Sequence, residues 1–392
     1  MTQAAGVDNV AVGVPKRRAL PGIGLLRSTH GLQRATLVAG LVLVAGFILV
    51  AVFAPLLARY GFAQTSADGV DFVRQQAPSA QHWFGTSVRG EDVYSRVIYG
   101  ARTALMVIVL SLAISLVVGV VLGLVSGYLS GWLDRVLVLV MDALYAMPSL
   151  LLAIVVSVVV SAGQSGTLGG ILSAAVAIMA VFVPQYFRVV RNATVAIKAE
   201  PFVDAARVTG ASTSRILFRH ILSNVTSSLP VIITLNGAEA ILTLAGLGFL
   251  GFGIEPTKAA EWGYDLNKAL SDVSNGIWWT AIFPGAAIVL VVLVTFFFLL
   301  SWRATIIVTL AIPTSLVATF IAFGAFDLTI NMMTLLALTV AIGLLVDDAI
   351  VVTEAIQRDI DEGVDARTAA FAATKRVALA VLAGTFATLT QF

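Results

Sequence analysis

The sequence predicts an all-α, polytopic helical membrane protein, on three observations. Of its 392 residues 59% are hydrophobic and only 12% charged, with a mean hydropathy of +0.97; a soluble globular chain is roughly half apolar and about a quarter charged. So little charge cannot coat a water-facing surface, and much of the exterior must face lipid. Apolar runs recur at close to the roughly 20 residues that a helix needs to cross ~30 Å of hydrocarbon. The runs are continuous, whereas barrel strands alternate over about ten residues.

Composition also excludes other classes. A net charge of +2 without a basic-aromatic patch gives no footprint for nucleic acid. There are no cysteines, which rules out disulfides, thiolate catalysis and cysteine metal sites. His30, His82 and His220 share no helical turn, so no metal site is expected.

Residues 1–34 form a polar arm with Lys16, Arg17, Arg18, Arg27 and Arg34 against Asp8. A cleavable signal has its apolar run sooner, so the uncharged run 35–58 reads as an uncleaved first transmembrane helix. Further spans are expected at about 104–129, 136–160, 168–187, 226–250 and 278–300, then at 304–326, 332–356 and 369–390. Positive charge marks the cytoplasmic side. The basic arm therefore lies inside, as does the loop with Arg188, Arg191, Lys198, Arg207, Arg215 and Arg219. The loop with Glu255, Glu261, Asp265 and Asp272 against Lys258 and Lys268 faces outside. Segment 59–103, with Trp83, Phe84 and Tyr94, is then extracytoplasmic: a solvated connector, or a cap that helps receive solute.

The stretch 200–224 is too polar to span and reads as two short helices around a break. Pro201 suits a first helical turn, Gly210 the left-handed stop, and Ser212 or Thr213 the next cap. A short helix presenting Ala205, Ala206 and Gly210 lets another backbone approach closely, and Asp204 offers an anion to a partner's cation. Without further context the same residues read as an ordinary basic loop.

Asp204-Ala205-Ala206, Gly210 and His220-Ile221-Leu222 together resemble the coupling-loop signature of binding-protein-dependent ABC permeases. The flanks resemble that family's peptide and nickel branch. They include His82-Trp83-Phe84-Gly85-Thr86, Tyr99-Gly100-Ala101-Arg102, Gly127-Tyr128-Leu129-Ser130-Gly131-Trp132-Leu133-Asp134, and Leu247-Gly248-Phe249-Leu250-Gly251-Phe252-Gly253 followed by Glu261-Trp262-Gly263. The likeness covers about residues 20–293. Asp204 stands where the family usually has Glu, Glu91 where it usually has Arg, and Ser223 where Pro is common. The resemblance implies a six-span ABC type I importer permease core, 104–294 carrying most of it, in a bacterial cell membrane. Its implied partners are a second homologous permease, two ATP-binding subunits and an extracytoplasmic solute-binding protein. No Gly-x-x-x-x-Gly-Lys-Ser/Thr loop is present. The chain therefore reads as a transport subunit rather than an enzyme, with no cofactor of its own and ATP and Mg on partner subunits.

Residues 295–392 depart from this picture, adding about three C-terminal apolar helices. Asp347 and Asp348 sit side by side in an apolar run, and intramembrane acids usually face protein or water. Trp302-Arg303-Ala304-Thr305, Pro313 and Gly343-Leu344-Leu345-Val346-Asp347-Asp348-Ala349 resemble a transmembrane fragment of RND (resistance–nodulation–division) proton-driven exporters. There the paired acids belong to a proton relay, which maps onto Asp347 and Asp348. The relay's lysine, in the second half of such exporters, has no counterpart, and Lys375 and Arg376 read as positive-inside anchors. The simplest account is a fusion near residue 295. The expected function is a permease subunit of an ATP-driven importer of peptides or similar small solutes. The alternatives are a proton-coupled transporter using Asp347 and Asp348, or an inactive chimera.

Overall fold

A computed structural model describes residues 32–161, 166–226 and 229–299. Of the tail it describes 314–315, 317–326, 329, 334, 352–353, 355–356, 359–360 and 363–389. The arm up to residue 31, Asp347 and Asp348 lie outside the described residues. The fold is a helical bundle. Its long helices are α1 (Leu32–Val52), α2 (Val93–Leu129), α3 (Gly131–Ala146), α4 (Ser149–Ser161) and α5 (Gly166–Lys198). A short helix α6 (Pro201–Val208) and a helical segment over 213–225 lead into α7 (Leu229–Phe249), α8 (Trp262–Ser274) and α9 (Trp279–Leu299). The tail contributes α10 (Ala366–Leu389). α2, α5 and most of α7 are long and apolar enough to cross a membrane, and the pair α3–α4 qualifies when taken together. α1 and α9 are apolar helices of 21 residues each.

Several boundaries differ from the sequence expectation: the helix expected over 168–187 runs on to Lys198, and two other departures have a local cause. The run 136–160 is not one straight span: α3 and α4 meet at a bend of 104°. Pro148 cannot donate to the preceding turn and pushes the residue before it out of the helical region, and Met147 is accordingly extended (φ −77°, ψ 138°). α2 begins at Val93, eleven residues before the apolar run, because the Asp92 carboxylate accepts the Ser95 amide at 2.8 Å and caps it there. At about 1.5 Å per residue, its 37 residues make a rod roughly twice as long as the hydrocarbon is thick.

The core is the seam between α2 and α5. Gly119, Gly123 and Gly127 recur every four residues along one stripe of α2. A Cβ on Gly119 would lie 2.5 Å from Tyr186 Cβ, one on Gly123 2.8 Å from the Phe187 carbonyl oxygen, and one on Gly127 2.8 Å from the Arg191 carbonyl oxygen. The two backbones are therefore as close as side-chain-free positions permit, which is how membrane helices gain dispersion contacts where lipid supplies no hydrophobic drive. Phe182, Tyr186 and Val190 of α5 and Val107 and Leu124 of α2 are fully buried around this seam. α3 is clamped to the far end of α5 by Asp134–Arg191 (2.6 Å) and Asp142–Arg188 (2.8 Å).

Candidate functional site

The loop 200–224 folds as helix, stop, helix. Pro201 occupies the first turn of α6 and needs no hydrogen-bond partner there. Gly210 follows the last turn with φ +81°, the left-handed conformation that a residue without Cβ adopts freely. The next helix starts after Ser212, whose extended backbone marks the cap but whose side chain makes no capping hydrogen bond. It then widens into a π-helical stretch, Ile216–Ile221. The wider turn brings Ile216, Leu217 and Ile221 to one buried face and leaves Phe218 and Arg219 outside.

Val203, Ile216, Ile221 and Val225 anchor the loop in the bundle core. What remains outside is a small surface. Asp204, Ala205 and Gly210 are exposed and Ala206 is half-buried, so three of the four sequence-selected residues share one accessible patch. Asp204 is paired within α6, with Arg207 Nη1 at 3.0 Å. It is thus not held for a partner's cation alone. The sequence reading overlooked the exposed apolar side chains of the loop: Val208 is 89% exposed, and Phe202 and Phe218 are exposed as well. Residues 205 and 208 are one turn apart on the face opposite Val203, but that face could be chosen only once Val203 was known to be buried.

A second missed contact ties the loop to α2. Tyr128, at the end of α2, carries Lys198 Nζ 5.5 Å and Arg207 Cζ 5.4 Å from its ring centroid. Lys198 also donates to the Tyr128 carbonyl at 2.5 Å and to Ser130 Oγ at 3.1 Å. The hydrogen bond to Tyr128 raises the Arg207 guanidinium above its ordinary value. Tyr128 thus joins α6, through Arg207, and the end of α5, through Lys198, to the end of α2.

The opposite end is a clamp between segment 59–103 and helices α8 and α9. A hairpin of β1 (Ser66–Ala67) and β2 (Val70–Asp71) turns at Asp68-Gly69, both left-handed. Arg96, 2% exposed, donates from Nη2 to Asp265 at 2.6 Å and from Nη1 to the Phe62 carbonyl at 2.9 Å, with Glu91 at 3.4 Å. His82 pairs with Asp92 at 2.9 Å. Phe84 stacks on Phe283 at 3.9 Å.

The glycines of the 247–263 stretch have a packing reason. A Cβ on Gly248 would sit 1.6 Å from Glu261 Oε2, one on Gly263 2.0 Å from the Ala245 carbonyl, and one on Gly100 2.2 Å from the Trp262 indole nitrogen. Glu261 caps α8 by accepting the amides of Gly263 (2.7 Å) and Tyr264 (2.8 Å). Burial pushes its carboxyl up to about 8 despite those two amides.

The sign of the resulting pH effect is fixed. The folded value lies above the unfolded one, so folding takes up a proton. The associated stability is complete below about 4.5 and is lost as pH rises through about 8. A shift of this size is a few kcal/mol in scale, because one unit is about 1.4 kcal/mol. Glu261→Gln removes the titration and keeps one of the two acceptor oxygens; its melting temperature is expected to fall less steeply than that of the parent between about pH 5 and 8.5. Parallel pH slopes for the two proteins would contradict the assignment.

Residues 119–302 match the family described as "Binding-protein-dependent transport system inner membrane component". The dipeptide transport system permease protein DppC of Alkalihalophilus pseudofirmus is 39% identical over 257 residues, 65% of this chain and 80% of the relative. The chain belongs to the binding-protein-dependent transport system inner-membrane components. Other relatives of this permease are a putative peptide transport system permease protein of Brucella suis biovar 1 and the glutathione transport system permease protein GsiD of Shigella flexneri serotype 5b. The first is 36% identical over 279 residues, 70% of this chain and 89% of the relative. The second is 38% identical over 244 residues, 62% and 76%. The permease is thus a bacterial inner-membrane transport subunit of an ABC importer and not an enzyme. Residues 282–392 match a different family, AcrB/AcrD/AcrF. The two matches overlap over 282–302, so α9 lies at the junction of the two likenesses.

In the described part of the tail, Arg376 donates to Asp359 at 2.6 Å. It is therefore engaged within the protein and is not simply a free surface charge.

Proposed function

We propose that the permease is one of two pore-forming subunits of an ATP-driven importer of peptides or similar small solutes. ATP and Mg act on two separate ATPase subunits, a second homologous permease completes the pore, and an extracytoplasmic binding protein delivers solute. The observation that carries this reading is the loop 200–224: an exposed patch around Asp204, Ala205, Val208 and Gly210, anchored in the core and braced against α2 through Tyr128. Relatives named for dipeptide, peptide and glutathione transport support the solute class. Affinity purification of the tagged chain from its native host tests it. Recovery of a second permease and an ATPase, with ATP-dependent peptide uptake after reconstitution, is expected. A chain recovered alone, without ATP-dependent uptake, would refute the reading.

The domain organisation that goes with it is a cytoplasmic arm 1–34, a first transmembrane helix 35–58, an extracytoplasmic segment 59–103, the core 104–294 and the exporter-like fragment 295–392. A chain without cysteines makes labelling from outside a clean reporter. A cysteine at position 75 is expected to react with an impermeant reagent and one at position 18 is not; the reverse pattern would invert the topology.

The tail does not power transport in this reading. Adjacent carboxylates in low dielectric disfavour double ionisation, and consecutive helical positions point about 100° apart. Replacing Asp347 and Asp348 together with Asn is expected to leave ATP-driven uptake unchanged. Solute movement driven by a proton gradient without ATP, abolished by the same double replacement, would establish a working relay instead.

A further inference from the structure

The clamp between segment 59–103 and α8 buries more acid than base. Glu91, Glu261 and Asp272 are buried, and Asp265 keeps only 14% of its side chain exposed. Among the described residues one buried arginine answers these four carboxyls: Arg96, bonded to Asp265, 3.4 Å from Glu91 and acting on Glu261 through space. Asp272 accepts instead from an uncharged group, Gln75 Nε2 at 2.6 Å. Arg89, 3.5 Å from Glu91, and Lys268 are exposed at the rim, where water screens them. His82, in the same segment, pairs with Asp92. α7 meets Glu261 with Gly248, more than two turns beyond Glu239, and α9 has no ionisable side chain. Four carboxylates around one guanidinium would leave excess negative charge in low dielectric, where neighbouring acids do not all ionise. Burial accordingly raises Asp265 as it raises Glu261, with Arg96 opposing the shift. A cavity of about 20 Å³ bordered by Glu91, Arg96, Asp265, Asp272 and Thr280 has room for one water, a route for proton exchange.

These groups lie on both sides of a seam. Gln75, Glu91 and Arg96 belong to segment 59–103, whereas Glu261, Asp265 and Asp272 belong to α8 and its cap. Two indoles also close the seam: Trp262 Nε1 donates to the Val97 carbonyl at 3.0 Å and Trp279 Nε1 to the Thr86 carbonyl at 3.3 Å. Parting it would wet the carboxyls, return them to the ordinary carboxylate range and release a proton. We propose that this clamp is a proton-binding latch: a proton held among Glu261, Asp265 and their neighbours keeps segment 59–103 closed on α8, and its loss to the surrounding water lets this end of the permease open. Protons bind more tightly to the closed clamp than to the open one. Closure is therefore fully favoured below about 4.5 and is lost as pH rises through about 8. One linked proton changes the opening equilibrium by up to about tenfold per pH unit between those limits. The latch adds a response to external pH and does not depend on which solute moves.

The test is run on the full chain in nanodiscs, where both faces meet the reagent and the readout does not depend on topology. Ala269→Cys places the only thiol at a buried position of α8 that borders the cavity, and Thr280→Cys repeats the readout from α9. Val273→Cys, one turn on and 51% exposed, supplies the rate of a free thiol at each pH. The ratio of the buried to the exposed rate with an uncharged methanethiosulfonate measures opening, since thiol ionisation cancels. That ratio is expected to rise by up to about tenfold per pH unit between about pH 6 and 8 and to level off above. Glu261→Gln should at least halve the slope of its logarithm, and Asp265→Asn gives the same reading where the first variant folds poorly. A packing role alone would move the ratio equally at every pH and leave the slope unchanged. No reaction of either buried thiol at any pH, a ratio independent of pH in the parent, or the parental slope in both acid variants would overturn the latch. Neither ATP nor solute is present, so failure of the importer reading would leave this readout untouched.

Discussion

Gly123→Leu is expected to abolish accumulation of folded permease, and Gly123→Ala to lower its thermal stability measurably. The reason is the distance between backbones. A Cβ at position 123 would meet the Phe187 carbonyl oxygen at 2.8 Å and Val190 Cβ at 2.9 Å. The first belongs to a helix backbone and cannot rotate away. The seam opens only if α2 and α5 separate along their length, which also loosens Gly119 against Tyr186 and Gly127 against Thr194. Overpacking a tight core by one methyl typically costs about 1–3 kcal/mol. A leucine asks for several times that volume in the same gap. The control is Gly46→Ala in α1, where nothing lies within 4 Å of the new Cβ; it is expected not to destabilise, and to add up to about 1 kcal/mol because alanine is the better helix former. Tryptophan fluorescence melting of the purified chain in detergent reads both. A Gly123→Ala protein that melts with the parent would mean that the seam relaxes freely and does not organise the bundle.

Local chemistry made much of this fold legible in the sequence. Pro201 and Gly210 mark the ends of α6 because each acts on its own backbone. Where contacts run between distant residues, the sequence was silent. Arg96 and Asp265 are 169 positions apart, and nothing local announces that a buried guanidinium needs that acid. The apolar run 136–160 told of burial in lipid or protein but not of direction, so the bend at Pro148 went unread although the proline was visible. The start of α2 was placed late because residues 93–103 are polar; they are helical since Asp92 caps them and Trp262 packs on Gly100. The Gly119, Gly123 and Gly127 stripe was readable by spacing, and was masked by the hydrophobicity around it. In the loop 200–224, the stop at Gly210 and the exposed Asp204 and Ala205 were legible in the sequence. Val208 could not be singled out without knowing that Val203 points inward.

Replacing Gly210 with valine, Asp204 with lysine or Val208 with aspartate is expected to uncouple transport while leaving the bundle intact. Each acts on a different property of the same patch. At Gly210 the Cβ meets no atom within 4 Å, so the valine causes no clash and tests backbone conformation alone. A left-handed residue with a side chain costs roughly 1–2 kcal/mol, more when β-branched, and the stop between α6 and the following helix is re-aimed. Asp204→Lys replaces an exposed ion pair with two adjacent cations. Exposed pairs contribute about 0–1 kcal/mol, so the fold should survive. The altered charge instead confronts whatever cation the ATPase presents. Val208 is 89% exposed in the isolated chain. Covering such a side chain is worth about 1.5–3 kcal/mol, and losing it should weaken docking by roughly tenfold or more. Uptake by reconstituted complexes should therefore fall at least about tenfold in Val208→Asp, with melting temperatures near the parent. ATPase retention on the purified permease separates failure to dock from failure to transmit: Val208→Asp and Asp204→Lys should lose the subunit, whereas Gly210→Val should keep more of it and still not transport. If all three variants retained the ATPase and moved solute at the parental rate, the loop 200–224 would be an ordinary basic connector, and the coupling contact would have to be sought elsewhere on the same end of the bundle.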